Sequence, residues 1–171
     1  MNDKVLVTYA TATGSTAEVA QAIGKEISGD NGAVDVLKVK EVKDLSPYRA
    51  VVVGSGIRNG RVYRATLTFL KQHQAALSQV PVAYFIVCMS VRDETEEGRT
   101  LLTFYENQMR SRAPQVQPVD VGFFAGKVDP ETLPLLSRLI VKALKSEEGD
   151  FRDWDAIRGW ASSVAPVLLT E

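Results

Sequence analysis

The chain has 171 residues, 45% of them hydrophobic, with 20 basic and 21 acidic side chains and a formal net charge of −1. That length suits one domain with a substantial core, and the charge balance gives no electrostatic reason to expect nucleic-acid binding. The sole cysteine, Cys88, excludes an intramolecular disulfide and sits in an apolar run, so an inert buried thiol in a reducing compartment is expected.

Strand and helix signals then alternate along the chain. Residues 4–9 form a short β-branched run, a strand. Residues 15–28 carry Val19, Ala20, Ile23 and Ile27 at helical spacing, and the glycine-bounded run 29–32 stops that helix. Residues 34–39 alternate as a half-exposed strand. Continuous apolar character over 50–54 predicts a strand covered on both faces. A helix over 63–77, a buried strand over 82–89, a helix with a polar start over 94–112 and a fifth strand over 119–125 follow. Helices over 132–144 and 153–168 close the chain. Such alternation predicts an α/β fold with parallel strands, crossover connections and helices on both sheet faces. No repeat, low-complexity tract or long linker divides it, so a single domain over 1–171 is expected. In open sheets of this kind ligands sit at the carboxyl ends of strands, near a topological switch point. The loops of interest are therefore 10–16, 54–62 and 88–99.

The first loop lies in the run TYATATGST, residues 8–16, which joins a strand to a helix with four threonines, a serine and a glycine. A helix N-terminus offers unpaired N–H groups and a partial positive charge, a ready anion site. Hydroxyls at Thr11, Thr13, Ser15 and Thr16 can add donors to phosphate oxygens, and Gly14 lets backbone approach the ligand. No lysine or arginine lies in the loop, so binding by neutral donors is expected. The plainer alternative is that Ser15 or Thr13 caps the helix. Neither Gly24-Lys25-Glu26 nor Gly126-Lys127-Val128 completes a Walker loop, and the glycines of 54–60 miss the dinucleotide fingerprint by one residue.

The second loop, GSGIRNG at 54–60, is either a plain turn or a close approach of backbone to a flat ligand. Opposite a phosphate loop, the ligand reading is the better one. In the third, Ser90, Val91 and Arg92 stand ready to touch the same ligand, while 93–97 reads as the acidic first turn of a helix.

These stretches, with VAYFIVCMS at 82–90, FAG at 124–126 and GDFRDW at 149–154, resemble the flavodoxin-fold proteins that bind flavin mononucleotide (FMN). The likeness is closest to the branch that includes bacterial menaquinone-dependent protoporphyrinogen IX dehydrogenase, and it covers nearly the whole chain. The resemblance implies a flavodoxin-like three-layer sandwich with a five-stranded parallel sheet in order 2-1-3-4-5. It implies that Thr11, Ala12, Thr13, Gly14, Ser15 and Thr16 surround the phosphate. Ser55, Gly56, Ile57, Arg58, Asn59 and Gly60, with Ser90, Val91 and Arg92, would flank the isoalloxazine ring. Carrier flavodoxins stack aromatics on that ring. Here Ile57 and Val91 occupy those positions, with Tyr63 the nearest aromatic, a departure from a simple carrier.

The function implied is an FMN-dependent oxidoreductase passing electrons from a small organic substrate, such as a porphyrinogen, to a quinone or protein acceptor. The alternatives are an electron-transfer flavodoxin docking to protein partners, and a regulatory domain of the same fold that holds flavin weakly or not at all. Arg58, Arg61, Arg64 and Arg92 are expected in part at the ligand mouth, where they would stabilise reduced flavin and attract carboxylates; the alternative is solvated surface charge.

No conventional catalytic set is visible, as suits chemistry carried by a cofactor. His73, the sole histidine, falls on the helix 63–77 away from the strand ends, and no metal site is expected. The broad apolar face of 132–144 (Leu133, Leu135, Leu136, Leu139, Ile140, Val141, Leu144) is expected to pack on the sheet. A subunit contact or a peripheral membrane contact, helped by Arg138, Lys142 and Lys145, is the alternative. Trp154, Ile157, Ala161, Val164 and Leu168 make a core stripe. With no signal pattern and no membrane-length apolar stretch, a cytoplasmic location is expected, with peripheral attachment at the inner face of the membrane as the alternative if that helix binds there.

Overall fold

A computed structural model of the chain describes residues 3–30, 32–129, 134–143 and 148–170. Strand β1 (Lys4–Ala10) runs into helix α1 (Ser15–Ser28), then β2 (Val34–Lys38). Strand β3 (Tyr48–Arg58) turns into the short β4 (Arg61–Val62) and helix α2 (Arg64–Leu77). Strand β5 (Val82–Val87) leads through one turn of 3-10 helix (Met89–Arg92) to α3 (Glu96–Arg112) and β6 (Val121–Phe124). The short β7 (Lys127–Val128) and β8 (Gly149–Asp150) bracket α4 (Leu135–Ala143), and α5 (Trp154–Leu169) ends the fold.

The main sheet has the path β2-β1-β3-β5-β6, with parallel pairing at every step. This is the expected order 2-1-3-4-5, since β4 only adds a hairpin to β3. The path reverses direction between β1 and β3, the switch point.

Alternation along the buried strands sorts side chains into two layers. Val5, Val7 and Tyr9 of β1 join Val19, Ile23, Ile157, Ala161 and Leu168 beneath α1 and α5. Leu6 and Ala10 point the other way, to Phe69, Leu70, Tyr105 and Met109 beneath α2 and α3. Each fully buried Val, Leu, Ile or Phe contributes about 1.5–3 kcal/mol, so both layers are large stabilising terms. The expected stripe of α5 is in place, with Trp154 half-buried at its start.

Two expectations are corrected. Residues 54–58 are strand, not loop: β3 continues through the glycines to Arg58 and turns at Asn59-Gly60. Their φ values of 51° and 69° are both positive, as a type I′ hairpin turn requires. The Asn-Gly pair was the available signal.

The expected packing of the helix over 132–144 on the sheet is not seen in its described part, α4. Leu135 and Leu136 of α4 are 70% and 71% exposed, and Leu139 and Ile140 are also exposed. Both faces of the sheet are already covered, one by α1 with α5 and the other by α2 with α3. The expectations for Thr132, Leu133, Leu144 and Lys145, and for the side chains of Val141 and Lys142, lie outside the described residues. No helix among the described residues is long and apolar enough to cross a membrane.

Gly54 lies opposite Phe85 on β5, and a Cβ built there would sit 2.0 Å from the ring. Phe85 has no exposed surface, so its ring cannot swing into solvent. Gly54→Ala is therefore expected to destabilise the fold by ~2–3 kcal/mol through overpacking, read from the midpoint of urea unfolding.

Candidate functional site

The register brings the expected loops to one edge. Ala10, the last residue of β1, pairs with Ser55, and Gly56 pairs with Val87, the last of β5. The chain segments that follow these residues open on a single cavity of about 930 Å³. That lies at the upper end of small-molecule sites, which span roughly 300–1,000 Å³.

Thr11, Ala12, Thr13, Ser15 and Thr16 line it from the first loop. Gly14 is the N-cap of α1, left-handed at φ 86°, and its N–H donates to Thr11 Oγ1 at 3.2 Å. No side chain caps α1. The plainer reading of this loop, a Ser or Thr cap, is therefore not what the hydroxyls do. Gly14 lines a smaller adjoining cavity of about 140 Å³ together with Thr13, Ser15, Glu18, Lys127 and Asp129.

From the second loop, Gly56, Ile57, Arg58 and Asn59 line the main cavity. Gly56 leaves room for its neighbours: a Cβ there would stand 2.9 Å from Thr16 Oγ1 and 3.2 Å from the Tyr63 ring, so one of them would have to shift. Ser55 is wholly buried and faces inward. Its hydroxyl donates to the Gly56 carbonyl at 2.7 Å and accepts from the Tyr63 N–H at 3.1 Å, so it braces the hairpin. On the far side of the hairpin, Gln108 of α3 accepts from the Val62 N–H at 2.9 Å. Gly60 completes the turn outside the cavity lining.

Of Ser90, Val91 and Arg92 in the third loop, only Ser90 lines the cavity, joined by Cys88 and Met89 from the same loop. Val91 packs against the core beneath α2 and α3. Arg92 holds its guanidinium 3.8 Å from the centre of the Phe151 ring. Of the four arginines expected near the mouth, Arg58 lines the cavity and Arg61, Arg64 and Arg92 do not.

Sequence reasoning missed the rest of the wall: Tyr105 from α3, and Gly126, Lys127, Val128, Asp129, Pro134 and Ile140 from the segment after β6. Nothing local marks Tyr105, a core-spaced helix residue. The later segment reaches the site because its base is buckled there. Strands β7 and β8 pair antiparallel, and the Phe151 N–H donates to the Gly126 carbonyl at 3.2 Å.

The buckle is the GDFRDW stretch. The Arg152 side chain is only 6% exposed. It donates to both carboxylate oxygens of Asp150 at 2.8 and 2.6 Å and to Glu18 in the first turn of α1, and it lies over the Trp154 ring. Asp153 caps α5 by accepting from the Ala156 N–H at 2.9 Å.

His73 lies outside the cavity lining, its ring 4.7 Å from that of Phe69; burial lowers its pKa, with Asp44 opposing. Among the described residues no cluster of His, Cys, Asp and Glu is suited to a metal. The fit to a phosphorylated aromatic ligand rests on the donor set. Four hydroxyls and an uncapped helix N-terminus stand at one loop, and Ile57, Tyr63, Val87, Met89 and Tyr105 supply apolar and aromatic wall.

An open parallel sheet with helices on both faces and a cavity at its switch point defines the doubly wound α/β class of protein. The chain belongs to the flavodoxin family: the flavodoxin domain matches residues 6–155. It is 27% identical to protoporphyrinogen IX dehydrogenase [quinone] of Leishmania major, over 97% of this chain and 76% of that one. It is 24% identical to the protein of the same name from Escherichia coli strain K12, over 95% and 94% of the two chains. A solved flavodoxin from the domain Archaea superposes with a TM-score of 0.61 at 20% identity, covering 98% of this chain and 99% of the other.

Two measurements check this geometry. Burial pushes the Cys88 thiol up to about 11, so at pH 7.5 fewer than about one molecule in a thousand carries the thiolate. Iodoacetamide labelling of the native protein, followed by intact mass, is expected to run about a hundredfold slower than that of free cysteine and to accelerate about tenfold per pH unit up to pH 10.

The Arg152 guanidinium holds the Asp150 carboxyl down at about 2, below its ordinary 3.8. The folded value is the lower one, so this pairing stabilises above about pH 4 and is lost as pH falls toward 2. Both carboxylates are largely solvated, which limits the effect. Arg152→Met is expected to lower stability by about 1–2 kcal/mol at pH 7, with the gap to wild type narrowing between pH 4 and pH 2 in urea titrations.

Proposed function

We propose that this chain binds FMN and works as an oxidoreductase, passing reducing equivalents from an organic substrate of the porphyrinogen kind to a quinone-type acceptor. The observation that carries the cofactor half is the uncapped N-terminus of α1, opening with the hydroxyls of Thr11, Thr13, Ser15 and Thr16 onto a large cavity. The names of the relatives support the second half.

In this reading Thr11, Ala12, Thr13, Gly14, Ser15 and Thr16 hold the phosphate end. Neutral donors aimed by a helix terminus suit a dianion, because their dipoles are already oriented and need not be drawn from bulk water. The ring end lies against Gly56, Ile57, Arg58 and Asn59, with Ser90 and Met89 from the strand beyond. FMN, when bound, supplies hydride or electron transfer through its ring nitrogen N5.

Ile57 and Tyr63 line the cavity and would flank the ring, and the Arg58 cation in the same wall would favour a carboxylate-bearing substrate. Pro134 and Ile140 extend the wall with apolar surface next to exposed Leu135, Leu136 and Leu139. An apolar flank beside the site fits an apolar ring substrate or quinone better than the polar docking face of a carrier. Membrane-surface contact through this flank and self-association through it are both compatible with the reading.

The test is an absorption spectrum of purified protein reconstituted with FMN, followed by anaerobic addition of protoporphyrinogen and reoxidation by a menaquinone analogue. Flavin bands that bleach with the first and return with the second are expected. Bound flavin without turnover removes the enzyme assignment; protein that stays colourless after reconstitution removes the cofactor. Ser15→Ala is expected to weaken FMN binding about tenfold, because a hydrogen bond to a charged group is worth about 1.5–3 kcal/mol.

A further inference from the structure

The phosphate loop contains no basic side chain, yet the fold delivers one to it. Lys127 comes from a part of the chain more than a hundred residues away, and it lines both cavities beside Thr13 and Ser15. We propose that Lys127 is the counter-charge of the cofactor's phosphate, and that it exchanges Asp129 for the phosphate when FMN enters. The proposal rests on the FMN reading above and goes beyond it, since that reading uses neutral donors only.

The geometry supports the assignment at three points. First, the backbone of Lys127 is moored to the phosphate helix. Its strand partner across β7 and β8 is Asp150, which Arg152 ties to Glu18 on the first turn of α1. Secondly, the Lys127 ammonium is held loosely. It stands 3.7 Å from Asp129, and both side chains remain partly exposed. A pair of that kind is weak in water and readily exchanged.

Thirdly, the smaller cavity beside the loop carries two carboxylates, Glu18 and Asp129. Arg152 is committed to Glu18 and Asp150. A phosphate entering beside these acids needs a cation that can turn toward it, and Lys127 is the basic side chain lining that cavity. An ammonium is a compact charge on a flexible stem with three donors, which suits a phosphate oxygen reached from the side.

The experiment compares FMN with riboflavin, which has the same ring and ribityl chain but no phosphate. Dissociation constants for both are measured by flavin fluorescence quenching on the full chain, for wild type and Lys127→Gln, at low and high salt. The expected result is an FMN constant about tenfold weaker in the variant, a riboflavin constant within about twofold of wild type, and a smaller salt dependence of FMN binding. Retained riboflavin binding also reports that the variant is folded.

Equal weakening of both ligands would make Lys127 a structural residue of the β7–β8 pair and overturn the proposal. Unchanged FMN binding would overturn it as well. Wild-type protein that binds neither ligand would instead refute the flavin reading itself, and this assignment with it.

Discussion

Strand β3 lies between β1 and β5 with two glycines whose missing side chains leave room that its neighbours fill. At Gly54 the Phe85 ring occupies the space a Cβ would need, and at Gly56 that space belongs to Thr16 and Tyr63. The phosphate loop, the hairpin and the end of β5 converge just beyond these contacts, where Ala10 pairs with Ser55 and Gly56 with Val87. A sheet packed on both faces cannot bulge to relieve a misfit, since its interior is as dense as a crystal. The position of the cavity is thus a consequence of packing in the middle of the sheet, several residues before the loops that line it.

The arm that carries α4 obeys a different logic. Other helices cover both sheet faces, its helix keeps Leu135, Leu136, Leu139 and Ile140 exposed, and the segment is secured at its base. The base is held by polar and aromatic contacts in a short stretch: Asp150 and Glu18 on Arg152, Trp154 beneath that guanidinium, and Phe151 against Arg92. Arg152 is almost buried, while the acids it binds keep contact with water, so its charge is compensated without stranding theirs. A planar guanidinium suits such a junction because it can pair at its edge and stack on its face together.

Charge around the cavity follows from this architecture more than from the local sequence. Arg58 reaches the rim because it ends β3 opposite Arg61 in the hairpin. Arg92, close to the site along the chain, is drawn to Phe151, and Lys127 arrives from a distant segment. The Cys88 thiol lies in the cavity wall with its proton held by burial. It therefore adds a small apolar surface, and no charge, to the site at neutral pH.

Much of the fold was legible from the chain alone. The strands of the main sheet and the helices on its two faces were legible from local hydrophobic patterning: continuous or β-branched apolar runs for the buried strands, and helical spacing where one face is buried. The phosphate-type loop was legible for a similar reason: its hydroxyls and glycine act within one turn of backbone.

Tertiary structure decided what depends on residues far apart. The path of β3 beyond Gly54 was set by its neighbours, although the Asn-Gly turn was a readable sign. Whether the apolar face of α4 found a partner depended on how much of the sheet the other helices had already covered. Tyr105, Lys127 and Ile140 joined the cavity only because crossovers and the buckled arm carried them there. Periodicity records which way a side chain points from its own element; only the assembled chain determines what stands opposite.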